Sequence, residues 1–321
     1  RCNKLWAPKS GEEFLRTGLW EKLPGGGWKT TLTEEDKGVR KVEYMNLRSA
    51  FWTLVGADCA RNMRITKVEF SVPNEDAQRR FSDRFDSLVE RMMLRDGDPK
   101  FVGIAGDSEE MAEARQIVLS KLKETAVRFE GVNLVLAWHA TKPDRMKRIA
   151  DIGFLAPDEL PKEGIIQRDV GYYGPGIYFT THISYSEAYG CREPEKQVLL
   201  SFVLMGNTFP VIEKAGKMIK QMEGYDSHFV CVDERGDQVQ AESGSWLKDP
   251  KPVWKSEIVV FNSAQILPRC IVHYTVDEGA CTVPETPRFV VPPPPTRVVL
   301  WINNDFDVVD QAFRTFLSTI A

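Results

Sequence analysis

Six short apolar runs separated by turn signals occupy the second half of the chain, and this pattern constrains the fold most strongly. The runs cover positions 134–138, 176–179, 198–205, 228–232, 257–261 and 266–272. Runs of this length, flanked by glycine, proline and asparagine, are typical of β-strands. The connections between them are mostly too short or too irregular for crossover helices, which favours antiparallel pairing. We therefore expect an α+β domain with mixed, mostly antiparallel sheets and flanking helices.

Helical patterns come before these runs. The apolar residues of 65–72 largely alternate, which predicts a strand, and Pro73 ends it. Asn74 is a suitable cap for a helix whose apolar residues recur every three or four positions up to Met93. A second helix is expected to begin at Asp107, with Glu110 as the reciprocal capping residue.

The composition divides the chain into four parts. Residues 1–60 form a Trp- and Gly-rich segment of unknown role, and residues 61–278 form the predicted central domain. A stiff proline-rich linker covers 279–296, and a strand–helix tail covers 297–321. That tail must pack on the main body or begin a truncated further domain. Because the chain opens with Arg1, we expect it to be part of a larger multidomain protein.

Charge and cysteine content exclude several classes of protein. The formal net charge is −4, with no block of like charge, so bulk electrostatics do not attract nucleic acid or membranes. No apolar run approaches a membrane span, and the first residues do not resemble a secretory signal, which predicts an intracellular, cytoplasmic or nuclear protein. The six cysteines include no C-x-x-C pair, so neither a disulfide framework nor a metal site is expected.

Three segments contain residues suited to chemistry. Trp138-His139-Ala140-Thr141 ends an apolar run with a histidine, and 172–179 is a Gly-Pro-Gly turn leading into Tyr178, with Ser186 and Tyr189 shortly after. The third segment, 256–261, places Glu257 at the head of an otherwise apolar strand. Each alone has an ordinary structural interpretation, because strand-end histidines, turn glycines and strand-edge glutamates are common in proteins without catalytic activity.

Together, and in this order, the segments resemble the ADP-ribosyltransferases of the poly(ADP-ribose) polymerase type, which carry a histidine, a tyrosine and a glutamate on three separated strands. The similarity extends to L-x-W-H-x-T, G-x-G-I-Y-F, S-x-S-x-x-Y and E-I-V-V-F-x-x-A-Q-I. A further stretch, Gly224-Tyr225-Asp226-Ser227, resembles the acceptor-side loop before the last catalytic strand. The resemblance covers roughly 64–276 and implies the ADP-ribosyltransferase fold for the central domain.

The resemblance implies a role for each matching residue. His139, Tyr178 and Glu257 would be catalytic, and NAD+ would be a substrate, with no resident cofactor. Contacts to NAD+ are expected from Trp138, Ala140, Thr141, Gly176, Ser186 and Tyr189. The two tyrosine rings would stack on the nicotinamide cation, while Ser186 and the backbone of Ala140 would hold its carboxamide. His139 would position a ribose hydroxyl, Thr141 would face the adenosine side, and Glu257 would stabilise an oxocarbenium-like centre.

Departures from the family pattern leave alternatives open. Ala140 stands where glycine is common, and Tyr185 stands where polymer-forming members carry lysine, which favours transfer of a single ADP-ribose. Glu257 is what polymer formation requires, so poly-ADP-ribosylation remains an alternative. The others are an NAD+ glycohydrolase, an inactive NAD+- or ADP-ribose-binding module and an interaction protein. A protein acceptor is expected, with a nucleic-acid acceptor left open and no membrane partner.

Overall fold

The computed structural model describes residues 20–38, 63–93, 107–155, 171–186, 196–213, 220–232 and 255–276, together with six isolated positions. Four helices are named along these ranges: α1 (Glu75–Met93), α2 (Glu109–Thr125), α3 (Pro143–Ile152) and α4 (Ile183–Ser186). The strands are β1 (Glu21–Lys22), β2 (Trp28–Thr33), β3 (Met63–Val72), β4 (Ala126–Phe129), β5 (Val132–His139), β6 (Ile177–Phe179), β7 (Lys196–Leu204), β8 (Thr208–Val211), β9 (Ser227–Val232), β10 (Lys255–Val260) and β11 (Ile266–Val276).

The described strands form two sheets. One has seven strands in the order β1-β2-β3-β11-β7-β5-β4, and the other has four in the order β6-β10-β9-β8. Among these strands only β8 and β9 pair in parallel, and the remaining pairs are antiparallel. The predicted α+β class with mostly antiparallel sheets and flanking helices is therefore confirmed.

Both faces of the seven-stranded sheet are covered. The apolar side of α1, with Phe81, Phe85 and Leu88, packs on one face together with Trp138. The opposite face packs against the four-stranded sheet, α2 and α3 through a second apolar cluster that includes Leu199 and Ile258. Because β5 and β7 lie between two apolar layers, their sequences are nearly continuous apolar runs rather than alternating ones.

A two-bond bridge joins the sheets at the end of β5. The Trp138 N–H donates to the Thr180 carbonyl (2.7 Å), and the Thr180 N–H donates to the Trp138 carbonyl (3.0 Å). Thr180 directly follows β6 of the four-stranded sheet. The bridge therefore holds His139, the last residue of β5, next to the end of β6. This junction brings His139 to the segment that carries Tyr178.

The N-terminal hairpin belongs to the same seven-stranded sheet. β2 pairs with β3 along its full length, so the sheet begins well before the predicted domain boundary at residue 60. The hairpin turn also binds α3, because the N–H groups of Gly25 and Gly27 donate to the two carboxylate oxygens of Asp151 (2.6 and 2.8 Å). A Cβ on Gly27 would lie 2.7 Å from the Asp151 backbone oxygen, so this approach requires glycine.

The predicted N-terminal cap is correct for α1 and wrong for α2. Asn74 caps α1 as predicted, accepting the Ala77 N–H at 3.0 Å. The cap of α2 is Ser108 rather than Asp107, since the Ser108 hydroxyl accepts the Met111 N–H at 3.2 Å. Asp107 instead pairs with Arg115, a buried guanidinium whose charge needs a carboxylate partner.

The linker at 279–296, the tail at 297–321 and most of 1–60 lie outside the described residues. Among the helices that the structure describes, none has the length and apolar character needed to cross a membrane.

Candidate active site

His139 is held by its Nδ1 atom at the junction of the two sheets. Nδ1 lies 2.8 Å from the Tyr178 backbone oxygen, and since a carbonyl only accepts, Nδ1 carries the proton. The ring packs edge-on against Phe154 (5.1 Å between centroids) and also contacts Phe179. Burial holds the pKa of His139 below its ordinary value, and the bond to Tyr178 acts in the opposite direction. In the neutral ring, Nε2 is therefore a hydrogen-bond acceptor.

Tyr178 is anchored through its hydroxyl to the turn before it, residues 171–176, which we call the Gly171 turn. The hydroxyl accepts the Tyr173 N–H and donates to the Gly174 carbonyl, both at 2.9 Å. A Cβ on Gly171 would lie 2.1 Å from the Tyr178 hydroxyl oxygen, and Gly171 has a φ of +75°. The turn wraps closely around the phenol, so its glycines are needed for space as well as for conformation.

Gly176 has a packing reason of its own. A Cβ there would lie 2.7 Å from the Val260 backbone oxygen and 2.6 Å from a Val259 methyl. The close contact between the Gly171 turn and β10 therefore accounts for this glycine without reference to a substrate.

Glu257 lies in the strand next to Tyr178. β10 pairs with β6 so that Val259 is opposite Tyr178, and Glu257 is two residues along on the same face. Its side chain is buried, with 6% of the residue exposed, and it accepts a hydrogen bond from the Tyr185 hydroxyl. Tyr185 on α4 thus faces the candidate catalytic carboxylate.

The fold brings His139, Tyr178 and Glu257 together from positions far apart in the chain. Ala140 and Thr141 follow directly and are half-buried. The Trp138 side chain is different: it is 1% exposed and packs in the core on the α1 side of the sheet. Its described contribution to this region is the backbone bridge to Thr180.

The residues that follow β6 are described in part. The Ser186 hydroxyl is buried and donates to the Ile183 carbonyl at 2.7 Å. Tyr189, the predicted second stacking ring, lies outside the described residues.

The predicted acceptor-side loop is divided between surface and interior. Gly224 is exposed and Tyr225 is half-buried, whereas Asp226 and Ser227 are buried. Asp226 accepts from Arg84 and Arg91 on α1 and from the Asn207 N–H, each at 2.7 Å. Ser227 begins β9 and donates to the Met205 carbonyl at 2.7 Å. Through these contacts Asp226 and Ser227 connect α1 and the segment after β7 to the four-stranded sheet.

His228 is a residue of this region that the sequence analysis did not identify. It follows Ser227 in β9, and its Nδ1 lies 2.7 Å from the Tyr173 carbonyl, which belongs to the Gly171 turn. A histidine inside an otherwise apolar strand was the available signal, because such a side chain must find polar partners when buried.

Within the described ranges, no group of three or more histidine, cysteine or acidic side chains is placed to hold a metal ion. The arrangement instead presents a neutral imidazole, a fixed aromatic ring and a buried carboxylate on neighbouring strands.

Comparison with known families places the chain in one of them. The family model described as the poly(ADP-ribose) polymerase catalytic domain matches residues 109–276, more than half of the chain and the whole segment from α2 to β11. No curated protein matches the chain significantly. The chain therefore belongs to the poly(ADP-ribose) polymerase catalytic-domain family, the NAD+-dependent ADP-ribosyltransferases.

Proposed function

We propose that this chain transfers one ADP-ribose unit from NAD+ to an acceptor, with protein as the expected acceptor and NAD+ as substrate rather than resident cofactor. The observation that carries the proposal is the convergence of His139, Tyr178 and Glu257 on adjoining strands. Such a trio suits cleavage of the bond between nicotinamide and ribose.

The donor side would hold the nicotinamide and its ribose. The nicotinamide cation stacks on Tyr178, with Tyr189 as the second ring, through contacts worth about 0.5–2 kcal/mol each. Ser186 already donates its proton to Ile183, so its oxygen would accept from the carboxamide N–H, beside the backbone of Ala140. Nε2 of neutral His139 would accept a hydrogen bond from a ribose hydroxyl and so hold the anomeric carbon in place.

Glu257 would supply the electrostatic part of catalysis. When the bond breaks, its electron pair leaves with nicotinamide and the ribose develops positive charge, which a nearby carboxylate stabilises. The acceptor then forms a bond to the anomeric carbon and loses its proton to Glu257 or to solvent. Loss of one such electrostatic group typically lowers kcat by about 10²–10³-fold.

Tyr185 favours a single transfer. Polymer-forming members of the family carry lysine at this position, and here the tyrosine hydroxyl donates to Glu257. A carboxylate that already accepts a charge-assisted hydrogen bond is a weaker partner for the hydroxyl of an incoming ADP-ribose. We infer that the tyrosine limits elongation although the glutamate is present.

Incubation with NAD+ labelled on the adenylate tests the proposal. The wild-type chain is expected to place label on protein as single ADP-ribose units, and Glu257→Gln is expected to lose at least 99% of this transfer, an effect of about 10²-fold or more. Glu113→Gln, which changes an exposed glutamate on α2, is the matched control and should keep full activity.

The position of the label separates the alternatives. A ladder of attached units would show a polymerase, and free ADP-ribose alone would show a glycohydrolase. Intact NAD+ after prolonged incubation would overturn the enzymatic proposal and support a binding or interaction module.

A further inference from the structure

His228 links two turns that come from different parts of the chain. It is completely buried, with 0% exposed, and its ring lies between Phe209 and Phe261 at centroid distances of 5.3 and 4.7 Å. Nδ1 faces the Tyr173 carbonyl at 2.7 Å, and Nε2 accepts the Met222 N–H at 3.2 Å. Both ring nitrogens are therefore bonded to backbone, each on a different turn.

The bond to Tyr173 continues to the candidate site. The Tyr173 carbonyl accepts from His228, while the N–H of the same residue donates to the Tyr178 hydroxyl. On the other side, Met222 begins the turn of residues 222–226, which we call the Gly224 turn. An unbroken series of hydrogen bonds thus runs from the Gly224 turn through His228 to the hydroxyl of Tyr178.

The neutral imidazole is well matched to this position. A carbonyl needs a donor and an amide N–H needs an acceptor, and the Nδ1–H tautomer provides both on opposite sides of one flat ring. Burial holds the pKa of His228 below its ordinary value, which keeps the ring neutral. Phenylalanine would keep the ring contacts but leave both backbone groups unpaired in the interior.

We propose that His228 is a positioning residue that couples the Gly224 turn to the nicotinamide-stacking ring of Tyr178. The proposal rests on the function proposed above for Tyr178. The Gly171 turn fixes the phenol of Tyr178 through Tyr173 and Gly174, and His228 fixes that turn. Loss of the Nδ1 bond should therefore loosen the NAD+ side, whereas loss of the Nε2 bond should loosen the Gly224 turn.

Two substitutions separate the two bonds. Glutamine places its amide group near the position of Nε2, so His228→Gln keeps an acceptor for Met222 and loses the donor to Tyr173. Asparagine places its amide group near Nδ1, so His228→Asn keeps the donor to Tyr173 and loses the acceptor. We expect His228→Gln to raise KM for NAD+ by about five- to tenfold with little change in kcat. His228→Asn should leave that KM within about twofold of the wild-type value.

Amide hydrogen exchange gives a readout that does not need activity. Exchange should accelerate in residues 171–178 of His228→Gln and in residues 220–226 of His228→Asn, each without change in the other turn. Val68→Ala, a core truncation in β3, serves as the control for general destabilisation, because its apolar cluster on the α1 side of the seven-stranded sheet contains no residue of either turn.

The two measurements distinguish the possible failures. If both His228 variants accelerate exchange equally in both turns, or if Val68→Ala reproduces the rise in KM, His228 is only structural and the proposal is overturned. An unchanged KM in His228→Gln also overturns it. If the wild-type chain does not consume NAD+, the proposed function fails, and the exchange pattern still supports or overturns the coupling of the turns.

Discussion

Replacing Asp226 by asparagine tests whether this residue serves the fold rather than the acceptor. One carboxylate oxygen accepts from both Arg84 and Arg91, and the other accepts the Asn207 N–H. Asparagine has one carbonyl oxygen and one NH₂ group, so it must turn a donor toward either the two guanidinium groups or the backbone N–H. It also removes the charge that balances two arginines.

The size of the effect follows from burial. Breaking a buried ion pair by removing one partner costs about 3–5 kcal/mol. Asp226 is 6% exposed, but the Arg91 side chain is 43% exposed and interacts with water, so the low end, about 3 kcal/mol, applies. For a domain of about 150–250 residues, the size range of the predicted central domain, each kcal/mol lowers Tm by about 2–4 °C, so the expected drop is about 6–12 °C.

Thermal unfolding followed by circular dichroism measures this change. Glu223→Gln is the matched control, because it removes an exposed carboxylate from the same turn and should leave Tm unchanged. A Tm for Asp226→Asn within about 2 °C of the wild-type value would refute the structural assignment, since that corresponds to about 1 kcal/mol or less. Loss of transfer without loss of Tm would return Asp226 to the acceptor side.

Three further predictions concern the hairpin, acid stability and product length. Asp151→Asn can accept only one of the two glycine N–H groups and should destabilise the fold by about 1.5–3 kcal/mol, measured by urea unfolding; an unchanged midpoint would contradict this. Burial in the folded state lowers the pKa of three histidines, so below about pH 6.5 the unfolded chain binds more protons than the folded chain. Tm should therefore fall as the pH decreases from 6.5 toward the pKa values of the folded state. A Tm that stays constant from pH 7.5 to 5 would argue against this. The three histidines are His139, His182 and His228. Tyr185→Phe removes the hydroxyl that donates to Glu257. Its products on a denaturing gel should carry more than one ADP-ribose per site. Single units, as expected for the wild type, would show that the tyrosine does not limit elongation.

Seven of the eleven described strands were predictable because their signals are local, and His139, Tyr178 and Glu257 could be chosen as candidates for the same reason. Each apolar run between turns became a strand within a few residues, and the motifs around His139, Tyr178 and Glu257 are contiguous text. The partners of these residues are long-range. Nothing near Glu257 in the sequence shows that Tyr185 donates to it, since that contact depends on where α4 packs against β10.

The N-terminal hairpin and Asp226 are two further cases in which the long-range partner could not be predicted from the sequence. β2 is a short strand rich in threonine, and its place in the sheet is set by pairing with β3, some thirty residues later in the chain. Asp226 is placed in the acceptor-side loop by the family resemblance, and the sequence does not show that two arginines on α1 contact it. Pairing across such separations is decided by tertiary packing, which local propensity does not contain.

A crystal structure with a non-hydrolysable NAD+ analogue tests the central claim most directly. The claim predicts the nicotinamide ring stacked on Tyr178, a ribose hydroxyl within hydrogen-bonding distance of His139 Nε2, and the Glu257 carboxylate facing the same ribose. An analogue bound elsewhere, or a nicotinamide ribose out of reach of Glu257, would contradict it.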